Sequence, residues 1–118
     1  MNKTSITVSV RKPNTHTGII DISGEVNAFA EDALMGAYTQ ACQGNVQAIL
    51  LNFSGLEYMN SSGIGLLVTL LIRVNRQKQK LLAYGLSEHY CQIFELTRLN
   101  EAIGIYATEA EALAAAHV

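Results

Sequence analysis

Ala48-Ile49-Leu50-Leu51-Asn52-Phe53 is short, bulky and almost continuously apolar, and soon after it comes a second apolar run, residues 64–74. The second run is too long and too rich in Leu for an ordinary strand, so the pair reads as strand followed by helix. A strand apolar on both faces belongs in a mostly parallel sheet, where crossover helices cover it. That unit constrains everything around it.

Upstream, residues 5–10 alternate strictly, with Ile6, Val8 and Val10 on one face of a half-buried strand. Residues 11–18 read as a polar turn closed by Gly18, and residues 19–22 as the returning strand of a hairpin. Residues 23–27 form a loop, and Asn27 is placed to cap a helix whose inward stripe is Ala30, Ala33, Leu34, Ala37, Tyr38 and Ala41. Gly44 stops that helix. The long helix after the central strand runs over about residues 60–78, with Arg73, Arg76 and Lys78 complementing the dipole at its end. Residues 81–84 predict a further strand ended by Gly85. Ser87 caps a short helix through about Leu96, with Cys91, Ile93 and Phe94 inward. Residues 103–106 form a last strand, and Thr108-Glu109-Ala110-Glu111 is a capping box that opens a final helix through Leu113 towards Ala116. The order β-β-α-β-α-β-α-β-α predicts an α/β fold: a mixed, mostly parallel sheet with an N-terminal antiparallel strand and about four helices.

Nothing interrupts this order, and 118 residues suit one domain over residues 1–118. An apolar share of 49% with 15% charged residues describes a packed chain rather than a disordered one. A net charge of -2 offers no electrostatic attraction to nucleic acid or an anionic membrane. The longest apolar stretch, residues 64–72, is broken by Gly65 and Thr69 and falls short of the roughly 18–20 residues of a membrane span. No signal-peptide core precedes it, so the expectation is a cytoplasmic protein with no membrane insertion. Cys42 and Cys91 are too few for a disulfide scaffold or a zinc knuckle and read as two buried thiols in a reducing compartment.

The chemistry gathers at Tyr58-Met59-Asn60-Ser61-Ser62-Gly63-Ile64-Gly65, where strand gives way to helix. Two serine hydroxyls stand at a helix mouth, where unpaired backbone N–H groups and the macrodipole favour negative charge. The common use of Ser there is as a cap. A phosphoserine is equally at home, and its charge of about −2 alters any surface it joins. Asp21, Glu25, Glu31 and Glu57 are candidates for an acidic rim facing an electropositive partner. Met59 and Ile64 are candidate apolar contacts, whereas Leu66 belongs to the core. Gly63 and Gly65 fit either a close backbone approach or a tight strand–helix junction. Catalytic patterns are missing: there is no Gly-x-Ser-x-Gly, no Walker lysine, and no His placed by sequence as a base for Ser61. His89-Tyr90-Cys91 is too sparse for a metal site, and no cofactor is called for.

Three segments resemble the STAS domain family, in particular its small stand-alone anti-sigma-factor antagonists. They are Gly18-Ile19-Ile20-Asp21-Ile22-Ser23-Gly24-Glu25-Val26, then residues 51–65 with the Asn60-Ser61-Ser62-Gly63 helix start, and then a closing third holding Phe94-Glu95-Leu96-Thr97-Arg98-Leu99-Asn100, Ile105-Tyr106 and Glu109-Ala110-Glu111-Ala112-Leu113. The resemblance implies partner switching. The unmodified protein would bind an anti-sigma factor that is also a serine kinase, through Glu25, Asn27, Met59, Asn60, Ser61, Ser62 and Ile64. The kinase would phosphorylate Ser61 and release it, and a metal-dependent serine phosphatase would restore the binding form. The chain departs from the family pattern at Asn60, where Asp is usual, at Asn27, where a carboxylate is frequent, and at Arg98, where Gly is common. Asn60 still caps a helix but brings no charge to Ser61. The alternative within the family is an interaction subunit that is never phosphorylated, such as the small STAS component of a lipid-transport complex.

Overall fold

A computed structural model describes residues 6–116. Its strands are β1 (Ile6–Asn14), β2 (Thr17–Val26), β3 (Ala48–Met59), β4 (Lys80–Tyr84) and β5 (Gly104–Tyr106). Its helices are α1 (Glu31–Ala41), α2 (Ser61–Arg76), α3 (Glu88–Leu96) and α4 (Glu109–Ala116). The strands lie in the order β1-β2-β3-β4-β5, with β1 antiparallel to β2 and every other neighbour parallel. This is the expected mixed sheet.

Crossovers that always step to the next strand with one handedness lay their helices on one face. Accordingly Ile20, Ile22, Ile49, Leu51, Phe53, Leu81 and Ala83 pack with Leu34 and Tyr38 of α1, Leu67, Leu70 and Val74 of α2, and Phe94 of α3. The alternate residues Ile19, Ala48, Leu50, Leu82 and Tyr84 form a second, smaller cluster beneath Ala112 of α4. Two-sided burial is why the central strand reads as a continuous apolar run.

The N-terminal half of α4 is tied down by charge. Arg11 grips Asp21 with both forks, Nε to Oδ2 at 2.7 Å and Nη2 to Oδ1 at 2.8 Å, and reaches Glu109 Oε1 at 2.9 Å. The Tyr84 hydroxyl donates to Glu109 at 2.7 Å, and Asn52 Nδ2 donates to Asp21 at 2.7 Å. Arg11 is the main reason that both carboxyls sit below their ordinary range. Burial chiefly, with Glu109 second, pushes the Tyr84 phenol up to about 12.

Several boundaries differ from the sequence reading. The hairpin turn is only Thr15 and His16, since Arg11 to Asn14 continue β1 past Pro13, which an edge strand tolerates. Residues 23–26 are strand, not loop, because they pair with an equally extended β3. Asn27 caps a single 3-10 turn, Ala28–Ala30, before α1 begins. Its Oδ1 accepts the Phe29 N–H at 2.9 Å. In the capping box of α4, Thr108 accepts the Glu111 N–H as expected, while Glu111 bonds the N–H of Ala107 rather than that of the cap. Cys42 and Cys91 are half-buried free thiols, each beside polar groups, rather than fully buried ones. Ser5 and His117 lie outside the described residues.

Helices α2 and α3 both end on a non-glycine residue in the left-handed region, Lys78 at φ 57° and Arg98 at φ 63°. For α2 the bonds are those of a Schellman motif: Gln79 N–H to Val74 O and Lys78 N–H to Asn75 O, each 3.0 Å. Arg98 occupies the equivalent position after α3, its N–H on Glu95 O at 3.1 Å. That conformation is one glycine adopts without penalty.

Candidate functional site

Beyond Asn52, β3 outruns β4 and keeps only β2 beside it. From Asp21–Asn52 to Glu25–Tyr58, β2 advances four residues while β3 advances six, so β3 bulges twice. Bulges sharpen the local twist and redirect the chain beyond them. Here they set the direction in which α2 starts.

Asn60 is the N-cap, with φ -92° and ψ -174°. Its Oδ1 accepts the Gly63 N–H at 2.9 Å, and its carbonyl accepts from Ile64 at 3.0 Å, closing the first helical turn. Its own N–H donates to Val26 O at 3.3 Å, tying the helix mouth to the end of β2. Ser61 and Ser62, the first two helical residues, are exposed. Their N–H groups belong to the unpaired donors of a helix start, which bring partial positive charge close to both hydroxyls.

Gly63 holds this mouth in place. A Cβ there would sit 2.2 Å from Val26 O and 2.7 Å from Met59 Cγ. Close backbone approach is therefore the reason for Gly63. Gly65 has nothing within 4 Å of such a Cβ and carries no comparable constraint. From the other side Tyr90 of α3 braces the junction, its hydroxyl accepting the Met59 N–H at 2.8 Å in a buried setting.

The residues expected to form the site divide into three groups. Asn60, Ser61, Ser62 and Ile64 stand together at the start of α2, with Ile64 half-buried. Glu25 and Asn27 join them, because Glu25 pairs in register with Tyr58 and Val26 with Met59. Met59 does not join as a contact residue: it is 4% exposed and packs into the core, so it supports the site from below. Asp21 also leaves the expected rim, since Arg11 and Asn52 hold it on the α4 face of the sheet. Glu25, Glu31 and Glu57 remain at the end that carries Ser61. His16 and His89 are exposed and distant in the chain from Ser61, and the His16 ring faces Asn45 O.

Two aromatics flank this end with large exposed area, Phe29 at 58% and Tyr58 at 53%. Phe29 was legible in part, since it falls off the stripe that Ala30, Leu34, Ala37 and Ala41 turn inward. Exposed aromatics beside a polar rim are typical anchors of protein contacts.

Residues 7–112 match the STAS domain family. The chain belongs to that family. Among curated STAS-type relatives, the anti-sigma-B factor antagonist of Listeria monocytogenes serovar 1/2a (strain ATCC BAA-679 / EGD-e) is 26% identical over 109 residues, covering 91% of this chain and 94% of its own length. Among solved structures, an anti-sigma factor antagonist from Mycobacterium paratuberculosis superposes with a TM-score of 0.82 at 21% identity, covering 97% of this chain and 96% of its own. The Bacillus cell fate determinant SpoIIAA in its phosphorylated form superposes with a TM-score of 0.71 at 24% identity, covering 92% and 98%. These likenesses agree with the STAS fold read from the chain. Among the described residues of this STAS domain, no helix is long and apolar enough to cross a membrane.

Proposed function

We propose that this chain is an anti-sigma-factor antagonist of the partner-switching kind. Its unmodified form binds a serine-kinase anti-sigma factor at the mouth of α2, phosphorylation of Ser61 breaks the complex, and a serine phosphatase restores it. The observation that carries the reading is the exposed Ser61 hydroxyl on the first residue of a capped helix. Relatives named as antagonists support it.

The physical logic of such a switch is local. Asn60 already caps Gly63, so a phosphate on Ser61 need not displace the cap to be stabilised by the remaining first-turn N–H groups. The host fold stays as it is. A partner pressed against Ser61, Ser62, Ile64, Glu25 and Asn27 instead meets added bulk and a charge of about −2 that must stay solvated. A desolvated unpaired charge costs about 4 kcal/mol, which weakens binding about a thousandfold. Asn60 in place of Asp keeps the cap while removing one negative charge beside the acceptor.

The test uses the cognate kinase and ATP, with phosphate mapped by mass spectrometry, then pull-down of Ser61→Ala and Ser61→Asp. Phosphate on Ser61, with Asp abolishing capture and Ala preserving it, is the expected result. Modification confined to another serine refutes the proposal. A second reading, a STAS interaction subunit that is never phosphorylated, draws on Asn60, which gives Ser61 no carboxylate neighbour. That reading expects both variants to be captured equally.

A further inference from the structure

The sheet has two edges, and they are not alike. At one end β5 is three residues long, short enough to offer little to another strand. At the other end β1 runs for nine residues, ITVSVRKPN, with its outer side unpaired by any described strand. Its second half carries the usual protection, Arg11, Lys12 and Pro13. Its first half carries none. Residues 6–10 are Ile-Thr-Val-Ser-Val, with no charge, no Gly and no Pro, and four of the five are β-branched.

We propose that residues 6–10 are a self-pairing edge, through which two copies of this chain join antiparallel about a two-fold axis into one continuous ten-stranded sheet, twice the five of each copy. The inference stands apart from the Ser61 switch. A two-fold centred on Val8 sets Val8 against Val8, Ile6 against Val10, and Thr7 against Ser9. Ile6, Val8 and Val10 are half-buried and already pack on the helix-side core, so the pairing extends that core across the axis. Thr7 and Ser9 are exposed on the other face, where a Thr–Ser cross-strand pair is favourable. Arg11 and Lys12 fall outside the paired segment. Both are occupied within their own chain, Arg11 by Asp21 and Glu109 and Lys12 by the Gln43 carbonyl.

The neighbouring helix permits the approach. Tyr38 and Cys42 of α1 turn toward Gln79, the residue before β4, which leaves Ala33 and Gln40 on the flank above β1. Along that flank Ala33 is small and Gln40 is exposed, and there the two copies of α1 meet over the joined strands. The isologous arrangement closes on itself, giving a dimer rather than a fibre. The mouth of α2 stands inward of β1, beyond α1, so both Ser61 hydroxyls stay open.

An edge contact of this length falls at the low end of specific interfaces, below about 1,200 Å² in total, the class of weak, concentration-dependent contacts. Sedimentation velocity of the unmodified chain from about 10 µM to about 1 mM should show monomer giving way to dimer over that range. Thr7→Lys puts like charges diagonally across the same face of the joined ladder and should weaken dimerisation by about three- to fivefold, with an unchanged melting profile because Thr7 is exposed. Hydrogen exchange of the unsubstituted protein gives an independent readout: the alternate, outward-directed amides within residues 6–10 should gain protection as concentration rises. Ser61→Asp should leave the dimer untouched, which separates this contact from the switch. A chain that stays monomeric at the top concentration overturns the proposal, as does a dimer indifferent to Thr7→Lys or one whose added protection falls on α2.

Discussion

Replacing Gly63 by Ala places one methyl group against a part of the fold that has no room to give. The new Cβ would lie 2.2 Å from the Val26 carbonyl oxygen, 2.7 Å from Met59 Cγ and 2.9 Å from the Val26 carbonyl carbon. The oxygen contact is more than about 1 Å inside ordinary van der Waals distance. Two of the three atoms are main chain, so no rotamer change relieves them, and that same carbonyl already accepts the Asn60 N–H. Overpacking of this kind costs about 3 kcal/mol, against about 1 kcal/mol regained from the better helix propensity of Ala. The net loss is about 2 kcal/mol, or roughly 8 °C in Tm for a chain of this length. Gly65→Ala is the internal control: nothing lies within 4 Å of its Cβ, so the propensity gain stands alone and stability should rise by about 0.5–1 kcal/mol. Urea unfolding monitored by circular dichroism measures both. A Gly63→Ala protein that melts with its parent, or two variants that shift in the same direction, would refute close backbone approach as the reason for Gly63.

Other perturbations probe the same framework. Arg98→Gly relieves a left-handed residue at φ 63° and should stabilise by about 1 kcal/mol in the same unfolding assay; an unchanged midpoint would mean the conformation carries no strain. Tyr90→Phe leaves the buried Met59 N–H without its acceptor and should cost about 2 kcal/mol, with a loss under a few tenths counting against the brace. The Asp21 and Glu109 carboxyls are held low chiefly by Arg11, so the stability they add is complete above the ordinary carboxylate value of about 4 and lost as pH falls through their lower folded values. Arg11→Met should therefore destabilise by about 1 kcal/mol at pH 6, with the gap closing as both carboxyls become protonated in acid; a gap that persists once they are protonated would show that packing, not charge, is what Arg11 supplies.

The fold was legible where periodicity was strong. Residues 48–53 read as a doubly buried strand and are one, because helices cover both of its faces. The stripe Leu34, Ala37, Tyr38, Ala41 and the cap at Asn60 were equally plain. The strand ends were not. Ser54-Gly55-Leu56-Glu57-Tyr58 lacks alternation because two bulges shift which residue faces the core, and bulges leave no simple signature in one sequence. Polar Arg11-Lys12-Pro13-Asn14 looks like a turn, yet its strand character comes from pairing with β2. At the site, the helix start was readable from its sequence, with Asn60 able to cap it, whereas the choice of Ser61 as the switch residue came from the family resemblance. The loss of Asp21 from the rim was not readable, since it depends on Arg11, ten residues earlier, crossing to it from the neighbouring strand.

The far end of β3 bears on how such a surface can change over time. Its last stretch, past Asn52, is a cantilever: β2 holds one side, no β4 lies along the other, and one phenol from α3 props its tip. Substitutions on the outer skin of that beam, at Glu25, Glu57 or Tyr58, touch little of the hydrophobic interior that keeps the chain folded. If a partner docks there as proposed, its preference and the folding strength of the chain can drift separately in duplicated copies, each acquiring its own counterpart on a shared chassis.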